Sequence, residues 1–283
     1  MRVGFIGLGK MGAGMAGHVA TSEHDVAVYD TRPEPIAQLA SMGARAATSV
    51  ADAASNADLV SVVVLDDAQV LDVVTRPDGA LATMPAGSVL AIHSTVTLDC
   101  IRRVADAAHD VGVRVLDAGI SGGVPGAAAG TLMVIVGGEA DTLDAVRPGM
   151  EPWSGEIVHV GPLGAGMVAK VARNYLQYAA FGLIHEAQTF AGARDVDLGQ
   201  LAHIIRATKA LDLTSIVLDR TDATPRRPDE LGDAGAGLIE MVHLGFKDLD
   251  VAEAIAAELG VELPGLASGR AGFGPSIGVD LQA

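Results

Sequence analysis

Two hydrophobic patterns divide the chain. In the first half, short β-branched and apolar runs alternate with longer alanine-rich segments. Continuous apolar runs such as Val60–Leu65 are typical of strands buried on both faces, and the segments between them are typical of crossover helices. The pattern predicts an α/β domain, a Rossmann-type doubly wound sheet. The predicted strands are Arg2–Ile6, Asp25–Tyr29, Asp58–Leu65, Ser88–Ile92, Val113–Leu116, Leu132–Val136 and Ile157–Val160, and the predicted helices are Met11–Ala20, Glu34–Met42, Asp67–Thr75, Leu98–Ala108 and Ala140–Val146.

After about Gly161 the strand runs stop. Gly166–Ala193 has the pattern of one long apolar helix, and the composition of Arg220–Gly237 predicts a solvated loop. The tail from Pro264 is glycine-rich and predicted to be weakly structured. We therefore expect a Rossmann domain over residues 1–162 and a smaller all-α domain over 163–283, joined through a long interdomain helix. Further helices are predicted near Gly199–Lys209, Leu213–Asp219, Leu238–Leu244 and Asp248–Leu259.

The charge balance narrows the choice of partners. The chain has 35 acidic and 19 basic side chains, a net charge of −16, which disfavours nucleic acid and anionic membrane surfaces as partners. No apolar stretch approaches the roughly 18 residues that span a bilayer. The single cysteine, Cys100, and the absence of an Asn-x-Ser/Thr sequon fit a reducing compartment. We expect a cytoplasmic protein that binds neither nucleic acid nor membrane.

A glycine motif follows the first predicted strand and opens the first predicted helix. Gly7 permits a tight turn, Gly9 allows backbone to approach a pyrophosphate, and Gly12 allows the helix to pack close to the strand. The helix N-terminus then faces the negative phosphates. This context predicts a dinucleotide site that uses the whole motif, which consists of Gly7, Leu8, Gly9, Lys10, Met11 and Gly12.

The end of the second strand bears on which dinucleotide binds. Asp30 lies 18 residues after Gly12, where a carboxylate can hold the ribose hydroxyls and repel a 2′-phosphate. This favours NAD. Arg32, two residues on, can reach such a phosphate or lie in solvent, which leaves NADP open. We expect Asp30, Thr31 and Arg32 to line the adenosine end of the site.

Three later segments carry candidate chemistry. Ser121-Gly122-Gly123 follows a strand, and its hydroxyl and N–H groups suit a carboxylate, although the same residues can form a simple turn. Lys170 and Asn174 are four residues apart, hence on one face of the long helix. The third segment is Lys247-Asp248-Leu249, which is also typical of an exposed charge pair.

These segments and the N-terminal glycine motif, in this order, resemble the β-hydroxyacid dehydrogenase family, which includes 3-hydroxyisobutyrate dehydrogenases and tartronate semialdehyde reductases. The resemblance runs from residue 1 to about residue 255. It implies a catalytic role for Lys170, with Asn174 beside it in the substrate site. It also implies that Ser121, Gly122 and Gly123 bind the substrate carboxylate. The residues implied to line the cofactor are Leu65, Ser94, Thr95 and Lys247.

The chemistry of lysine agrees with that role. A base for an alcohol proton needs a lysine pKa lowered from about 10.4 toward neutrality, through burial or a nearby cation. Lys170 lies among small apolar residues, whereas a lysine at the surface of an apolar helix is the ordinary alternative. We expect an NAD-preferring oxidoreductase that transfers hydride between the cofactor and a small 3-hydroxy carboxylic acid or its 3-oxo form.

Two other functions stay open. An imine reductase shares the cofactor end but commonly replaces the lysine, and a dinucleotide-binding interaction module would have lost the chemistry. Three positions depart from the family pattern, namely His18, Gly119 and Arg173, and Arg173 puts the standard substrates in doubt. His185-Glu186 lacks the second histidine of a zinc motif because Thr189 stands there, so no metal is expected. A homodimer or homotetramer is expected.

Overall fold

The computed structural model describes residues 1–192, 196–208, 224–232, 235–259 and 265–281. The predicted helix Leu213–Asp219 lies outside the described residues. The chain divides into two compact units, Met1–Lys170 and Val171–Ala283. The functional domain boundary expected at residues 162/163 stays a prediction.

The first unit is built on one eight-stranded sheet. The strand order is β3-β2-β1-β4-β5-β6-β7-β8, and every neighbouring pair is parallel except β6 and β7. The order reverses between β1 and β4, as in a doubly wound sheet, so the predicted fold class is confirmed. The strands are β1 Arg2–Ile6, β2 Asp25–Tyr29, β3 Arg45–Ala46, β4 Leu59–Val62, β5 Val89–Ile92, β6 Arg114–Ser121, β7 Leu132–Gly137 and β8 Ser154–Gly161.

Seven helices connect these strands, and short polar residues begin several of them. Ser49, Asp66 and Thr97 each accept a hydrogen bond from a backbone N–H in the first turn, which satisfies one of the free donors at a helix N-terminus. Phe5 on β1 and Trp153 are both fully buried in the core of this unit. The helices are α1 Gly12–Ala20, α2 Pro33–Ala40, α3 Val50–Ala54, α4 Asp67–Thr75, α5 Leu98–Asp110, α6 Gly123–Ala129 and α7 Ala140–Met150, with 3-10 turns at Ala80–Ala82 and Glu151–Trp153.

Three elements of this unit are absent from the sequence prediction. β3 is only two residues long, both of them exposed at the sheet edge, and α3 is only five residues long, so neither gives a periodic signal. The third is α6, whose glycines and proline are typical of a turn. β6 also continues to Ser121, beyond the predicted end at Leu116.

The second unit is helical in the part that the structure describes. α8 Ala165–Gly192 begins in the first unit and continues into the second; it is followed by α9 Leu198–Ala207, α10 Gly235–Leu259 and α11 Leu266–Ser276, with a 3-10 turn at Pro228–Glu230. The helices predicted over Leu238–Leu244 and Asp248–Leu259 are one continuous helix, α10. Of the described helices, none has the length and apolar character to cross a membrane.

The tail prediction is wrong, because residues 266–276 form helix α11. Its glycines are sites of close helix packing. A Cβ on Gly272 would lie 2.6 Å from Cα of Gly182 in α8, and a Cβ on Gly245 in α10 would overlap the ring of Phe273. Tertiary contact therefore stabilises a helix whose glycine content is unfavourable for an isolated one.

Candidate active site

The glycine motif forms the turn between β1 and α1. Gly7 has φ +93°, a conformation that favours glycine, and its N–H donates to the carbonyl of Tyr29 at 2.9 Å. A Cβ on Gly7 would overlap the carbonyl of Val63, and one on Gly12 would overlap the carbonyl of Gly7. Packing within the protein therefore demands glycine at both positions.

Gly9 differs from its two neighbours in the motif. A Cβ built there would meet no atom of the described residues within 4 Å, so packing within this part of the chain does not require the glycine. A pyrophosphate in close contact with the backbone would require it, because a side chain would occupy the same space. The loop and the N-terminus of α1 thus fit a dinucleotide.

Asp30 joins the end of β2 to this loop. Its carboxylate accepts from the N–H of Leu8 at 2.7 Å, and from the N–H and Nε of Arg32 at 2.9 and 3.0 Å. Burial opposes the charge on Asp30, but the hydrogen bonds from Arg32 and Leu8 outweigh it, so the pKa of this carboxyl lies below its ordinary value. Thr31 and Arg32 are exposed beside it, as is Lys10 in the loop.

The carboxyl ends of β4 and β5 lie at the same edge of the sheet as the glycine loop, because β1, β4 and β5 are parallel neighbours. The Ser94 hydroxyl donates to the carbonyl of Val64 at 2.7 Å and accepts from its N–H at 3.0 Å, which ties the two strand ends together. Leu65 is 51% exposed at this edge. These are the positions expected of residues that line a dinucleotide at the switch point of a doubly wound sheet.

Lys170 lies one turn into α8 and is only 6% exposed. Its Nζ donates a hydrogen bond to the hydroxyl of Thr95, which follows β5 and is also buried. The structure thus brings together two residues 75 positions apart in sequence. Thr95, which the resemblance assigns to the cofactor, is also a direct partner of the candidate catalytic lysine.

Ser121, Gly122 and Gly123 lie where β6 ends and α6 begins. Gly122 has φ +128° and is the N-cap of α6. Both glycines are exposed, and Ser121 is partly exposed, so all three are accessible to a ligand. The free N–H groups at a helix N-terminus favour an anion there. The segment lies at the start of a helix, and its role in holding a carboxylate stays a prediction.

The second unit holds the other candidate residues. The amide of Asn174, 6% exposed, donates to the Asp248 carboxylate at 2.7 Å and accepts from Nη1 of Arg173 at 3.1 Å. Lys247 forms an ion pair with the same carboxylate at 3.2 Å, and the Tyr178 hydroxyl donates to it at 3.3 Å. Asp248 therefore orients three polar groups at once.

Sequence reasoning missed Asp248 as a site residue. The segment predicts a role for Lys247 alone, and the i, i+4 rule identifies partners on one helix but not a partner 74 residues away. Burial, and after it the nearby charge of Asp248, raise the pKa of the Tyr178 hydroxyl, which therefore stays protonated as a donor.

Within the described residues, no group of three or more His, Cys, Asp or Glu side chains is arranged to hold a metal ion.

Comparison with known proteins agrees with this geometry. Residues 2–161 match the family described as the NAD binding domain of 6-phosphogluconate dehydrogenase. An NAD-dependent L-serine dehydrogenase from Pseudomonas aeruginosa is 34% identical over 90% of this chain and 85% of its own length. A 3-hydroxyisobutyrate dehydrogenase from the same organism is 32% identical over 93% and 87%. The chain belongs to the β-hydroxyacid dehydrogenase family.

A solved structure extends the likeness of this β-hydroxyacid dehydrogenase to three dimensions. The 3-hydroxyisobutyrate dehydrogenase of Mycobacterium tuberculosis, determined with L-serine, has a TM-score of 0.80 and 28% identity, covering 95% of this chain and 91% of its own. The resemblance read from the motifs is confirmed. The chain is an oxidoreductase with an NAD-binding domain, and its class acts on hydroxy acids.

Proposed function

We propose that this dehydrogenase interconverts a small 3-hydroxy carboxylic acid and its 3-oxo form, with Lys170 as the residue that exchanges the hydroxyl proton. The observation that carries the proposal is the burial of Lys170 with its Nζ at the hydroxyl of Thr95. A lysine at the surface of an apolar helix would extend into solvent instead.

The Ser121-Gly122-Gly123 segment, at the N-terminus of α6, is the proposed carboxylate site. The Ser121 hydroxyl and the N–H groups of the two glycines supply donors, and the positive end of the helix dipole adds to them. This way of binding an anion suits a chain of net charge −16, because it needs no cluster of lysines or arginines.

NAD is the proposed preferred cofactor. The glycine loop and the N-terminus of α1 would hold its pyrophosphate, and Asp30 its adenosine ribose. Leu65, Ser94 and Thr95 would line the nicotinamide half. When bound, NAD supplies the hydride acceptor, and NADH the donor, at nicotinamide C4. Asp30 supports NAD over NADP because an ionised carboxylate repels a 2′-phosphate.

Asn174 is proposed to contact the substrate and Lys247 the cofactor. Asp248 accepts a hydrogen bond from Asn174 and pairs with Lys247, so it would fix the direction in which each of them points. We propose residues 1–162 as the dinucleotide-binding domain and 163–283 as the substrate and oligomerisation domain of a homodimer or homotetramer. Light scattering that gives the mass of a monomer would contradict the oligomer.

The size of the substrate is proposed from the relatives. An L-serine dehydrogenase and a 3-hydroxyisobutyrate dehydrogenase are both more than 30% identical over most of the chain, and both names denote a three- or four-carbon 3-hydroxy acid. Arg173 is the residue that can widen this choice, because it is exposed and donates hydrogen bonds to the neutral amides of Asn174 and Gln177.

The test compares the wild-type enzyme with Lys170→Ala and the charge-preserving Lys170→Arg. Each is incubated with NAD or NADP and with 3-hydroxyisobutyrate, L-serine, D-glycerate or 3-hydroxypropionate. Turnover by the wild type, with loss of about 10²-fold or more in kcat in both variants, is expected for a proton-transfer residue. Full activity of Lys170→Ala contradicts the assignment.

The same assay separates the other two functions. Reduction of a cyclic imine by both the wild type and Lys170→Ala, without oxidation of any acid, would favour an imine reductase. Dinucleotide binding without turnover of any substrate would favour an interaction module.

A further inference from the structure

β6 presents three residues to one side of the sheet. Side chains alternate along a strand, so Asp117, Gly119 and Ser121 share a face. The register with β7 fixes them, since Asp117 pairs with Gly137 and Ser121 pairs with Met133. Asp117 contacts the start of α8, Gly119 lies against the side chain of Lys170, and Ser121 belongs to the proposed carboxylate site.

Asp117 meets the beginning of α8. Its carboxylate is fully buried and accepts from the N–H of Gly164 at 2.7 Å and of Met167 at 2.6 Å. N–H groups at a helix N-terminus lack acceptors within the helix, and a negative charge there interacts favourably with the helix dipole. Asp117 therefore attaches the first turn of α8 to the sheet.

Two glycines allow the first turn of α8 to approach the sheet closely. A Cβ on Gly166 would lie 2.6 Å from the carbonyl oxygens of both Asp117 and Ile135, and one on Gly137 would lie 2.6 Å from the N–H nitrogen of Gly166. The first turn of α8 therefore rests directly on the backbone of β6 and β7. A helix held at this distance has little freedom to slide along the strand.

Gly119 meets the side chain of Lys170. A Cβ at this position would lie 2.7 Å from Cδ, 3.1 Å from Cβ and 3.3 Å from Cγ of the lysine. The aliphatic stem of Lys170 therefore lies against the strand where a side chain is missing. Gly119 is also one of the positions at which the chain departs from the family pattern.

We propose that Asp117 and Gly119 are positioning residues. Together they fix the position of Lys170 along the axis of β6, relative to Ser121 at the end of the same strand. Asp117 sets the start of the helix, and Gly119 sets the path of the lysine stem one turn later. The inference rests on the proposed function, in which Lys170 exchanges the proton and Ser121 holds the carboxylate. A misplacement of about 1 Å in such a pair can cost about 10²-fold in rate.

The burial of Asp117 supports this role. Burial raises the pKa of its carboxyl to about 6, and the hydrogen bonds from Gly164 and Met167 oppose the rise. The fold therefore keeps an ionised group in its interior at neutral pH, at a cost that an uncharged, half-buried capping residue such as Ser49 does not carry. A fixed position for the helix explains why the interior carries this charge.

The test is a double-mutant cycle with Asp117→Asn and Lys170→Ala, measured as single-turnover rate and KM for the most active acid of the panel. Asparagine retains the shape but places an N–H₂ against one of the two helix N–H groups. In the wild-type background, Asp117→Asn is expected to lower the rate at least ~10-fold, with KM for acid and cofactor changed less than ~3-fold. In the Lys170→Ala background it is expected to change the rate less than ~2-fold.

Gly119→Ala provides a second, independent variant, since the backbone of Gly119 is not in the left-handed region and accepts alanine. It is expected to lower the rate at least ~10-fold with little change in KM. Asp52→Asn, which alters a carboxylate bonded to the N–H of Thr48 at 2.7 Å, and Gly237→Ala, at a helix position with open space, are the matched controls and are expected to keep the wild-type rate.

The outcomes are distinct. If Asp117→Asn lowers the rate by the same factor in both backgrounds, or if Gly119→Ala leaves the rate unchanged, the positioning role is wrong while the role of Lys170 stands. If Lys170→Ala alone retains the wild-type rate, the proposed function itself fails. Should Asp117→Asn not fold, the Gly119→Ala result, in the presence and absence of Lys170, decides the question.

Discussion

The N–H of Leu8 donates a 2.7 Å hydrogen bond to the carboxylate of Asp30, so the cofactor loop and the end of β2 are joined through one side chain. The same carboxylate binds the exposed guanidinium of Arg32. A residue proposed to hold the ribose of NAD is therefore already fixed by the loop that is proposed to hold the pyrophosphate. Loss of Asp30 is therefore expected to affect both the glycine loop and the contact with the ribose.

Asp30→Ala is expected to shift the cofactor preference toward NADP. Removal of the carboxylate abolishes a charge-assisted interaction with the ribose and the repulsion of a 2′-phosphate, and frees Arg32. The ratio of kcat/KM for NAD to that for NADP is expected to fall at least ~10-fold, since a hydrogen bond to a charged group is worth about 1.5–3 kcal/mol. The measurement is initial rates with both cofactors on the same acid.

Asp25→Ala, at the other end of β2, is the control for Asp30→Ala, because Asp25 is exposed and lies at the opposite edge of the sheet. It is expected to keep the wild-type ratio. An unchanged ratio in Asp30→Ala would mean that the carboxylate serves only the loop and does not select the cofactor.

Thr95→Val is expected to lower kcat about 10-fold or more, because valine has the shape of threonine without the hydroxyl that accepts from Nζ of Lys170. Thr95→Ser retains the hydroxyl and is expected to stay within about 3-fold of the wild type. The affinity for NAD, measured by fluorescence titration, separates the two roles of this residue. A loss of NAD binding without loss of single-turnover rate would place Thr95 with the cofactor alone.

Much of the fold follows from local sequence signals. Buried parallel strands such as β4 are continuous apolar runs, and the glycine motif lies within six residues, so both can be found without knowledge of distant contacts. α6 and α11 could not be predicted in this way, since each is rich in glycine. Contacts with other helices, such as that of Gly272 with Gly182, favour α11 as a helix.

The candidate site follows the same division. Sequence order indicated Lys170, Asn174 and Ser121, because each belongs to a recognisable segment. Asp248 belongs to such a segment too, but the roles of Asp117 and Asp248 could not be predicted, since their hydrogen-bond partners lie 47 and 74 residues away. Side chains that position other groups depend on tertiary contacts, and these appear only when the strands and helices are assembled.

Ser121→Ala is expected to act mainly on substrate binding. The hydroxyl is proposed to donate to the carboxylate, which is not the reacting group, so its contribution is similar in the ground state and the transition state. KM for the acid is expected to rise about 10-fold, with kcat changed less than about 3-fold. Ser41→Ala is the control, because the Ser41 hydroxyl, just after the end of α2, donates to the carbonyl of Gln38 at 2.7 Å. A fall in kcat at unchanged KM would contradict the carboxylate role.

The buried His93 gives the first unit a pH dependence of stability. Its Nδ1–H donates to the carbonyl of Ala118 at 2.8 Å, and Nε2 accepts from the hydroxyl of Ser61 at 3.2 Å. Burial lowers the pKa of His93 from 6.5 to about 4, against the opposing effect of the Ala118 carbonyl. Below pH 6.5, His93 becomes protonated in the unfolded chain, whereas in the folded chain it stays neutral until the pH approaches 4.

The contribution of His93 to the free energy of unfolding is therefore complete above pH 6.5. About 3 kcal/mol of it is lost as the pH falls toward 4. His93→Asn retains a donor near the position of Nδ1 and is expected to lack this loss. Urea unfolding at several pH values, followed by fluorescence of the single Trp153, reports on it directly, since the two rings lie 5.3 Å apart. His109→Asn, at an exposed position in α5, should keep the wild-type dependence; the same slope in His93→Asn would sink the assignment.

Two glycines of α10 predict opposite effects of the same substitution. Gly245 is buried, and a Cβ there would overlap the ring of Phe273, which also stacks on Phe181 with ring centroids 5.5 Å apart. Gly237 is exposed, and a Cβ there would meet no atom within 4 Å among the residues that the structure describes. Gly245→Ala is expected to destabilise the second unit by about 1–3 kcal/mol through overpacking.

Gly237→Ala is expected to leave the stability unchanged or raise it by up to about 1 kcal/mol, because alanine is the better helix former. Thermal unfolding followed by circular dichroism compares the two variants with the wild type. The comparison controls for the intrinsic gain of alanine over glycine, which is common to both sites. If Gly245→Ala were as stable as Gly237→Ala, α11 would not pack on α10 through Phe273, and the glycines of the tail would need another explanation.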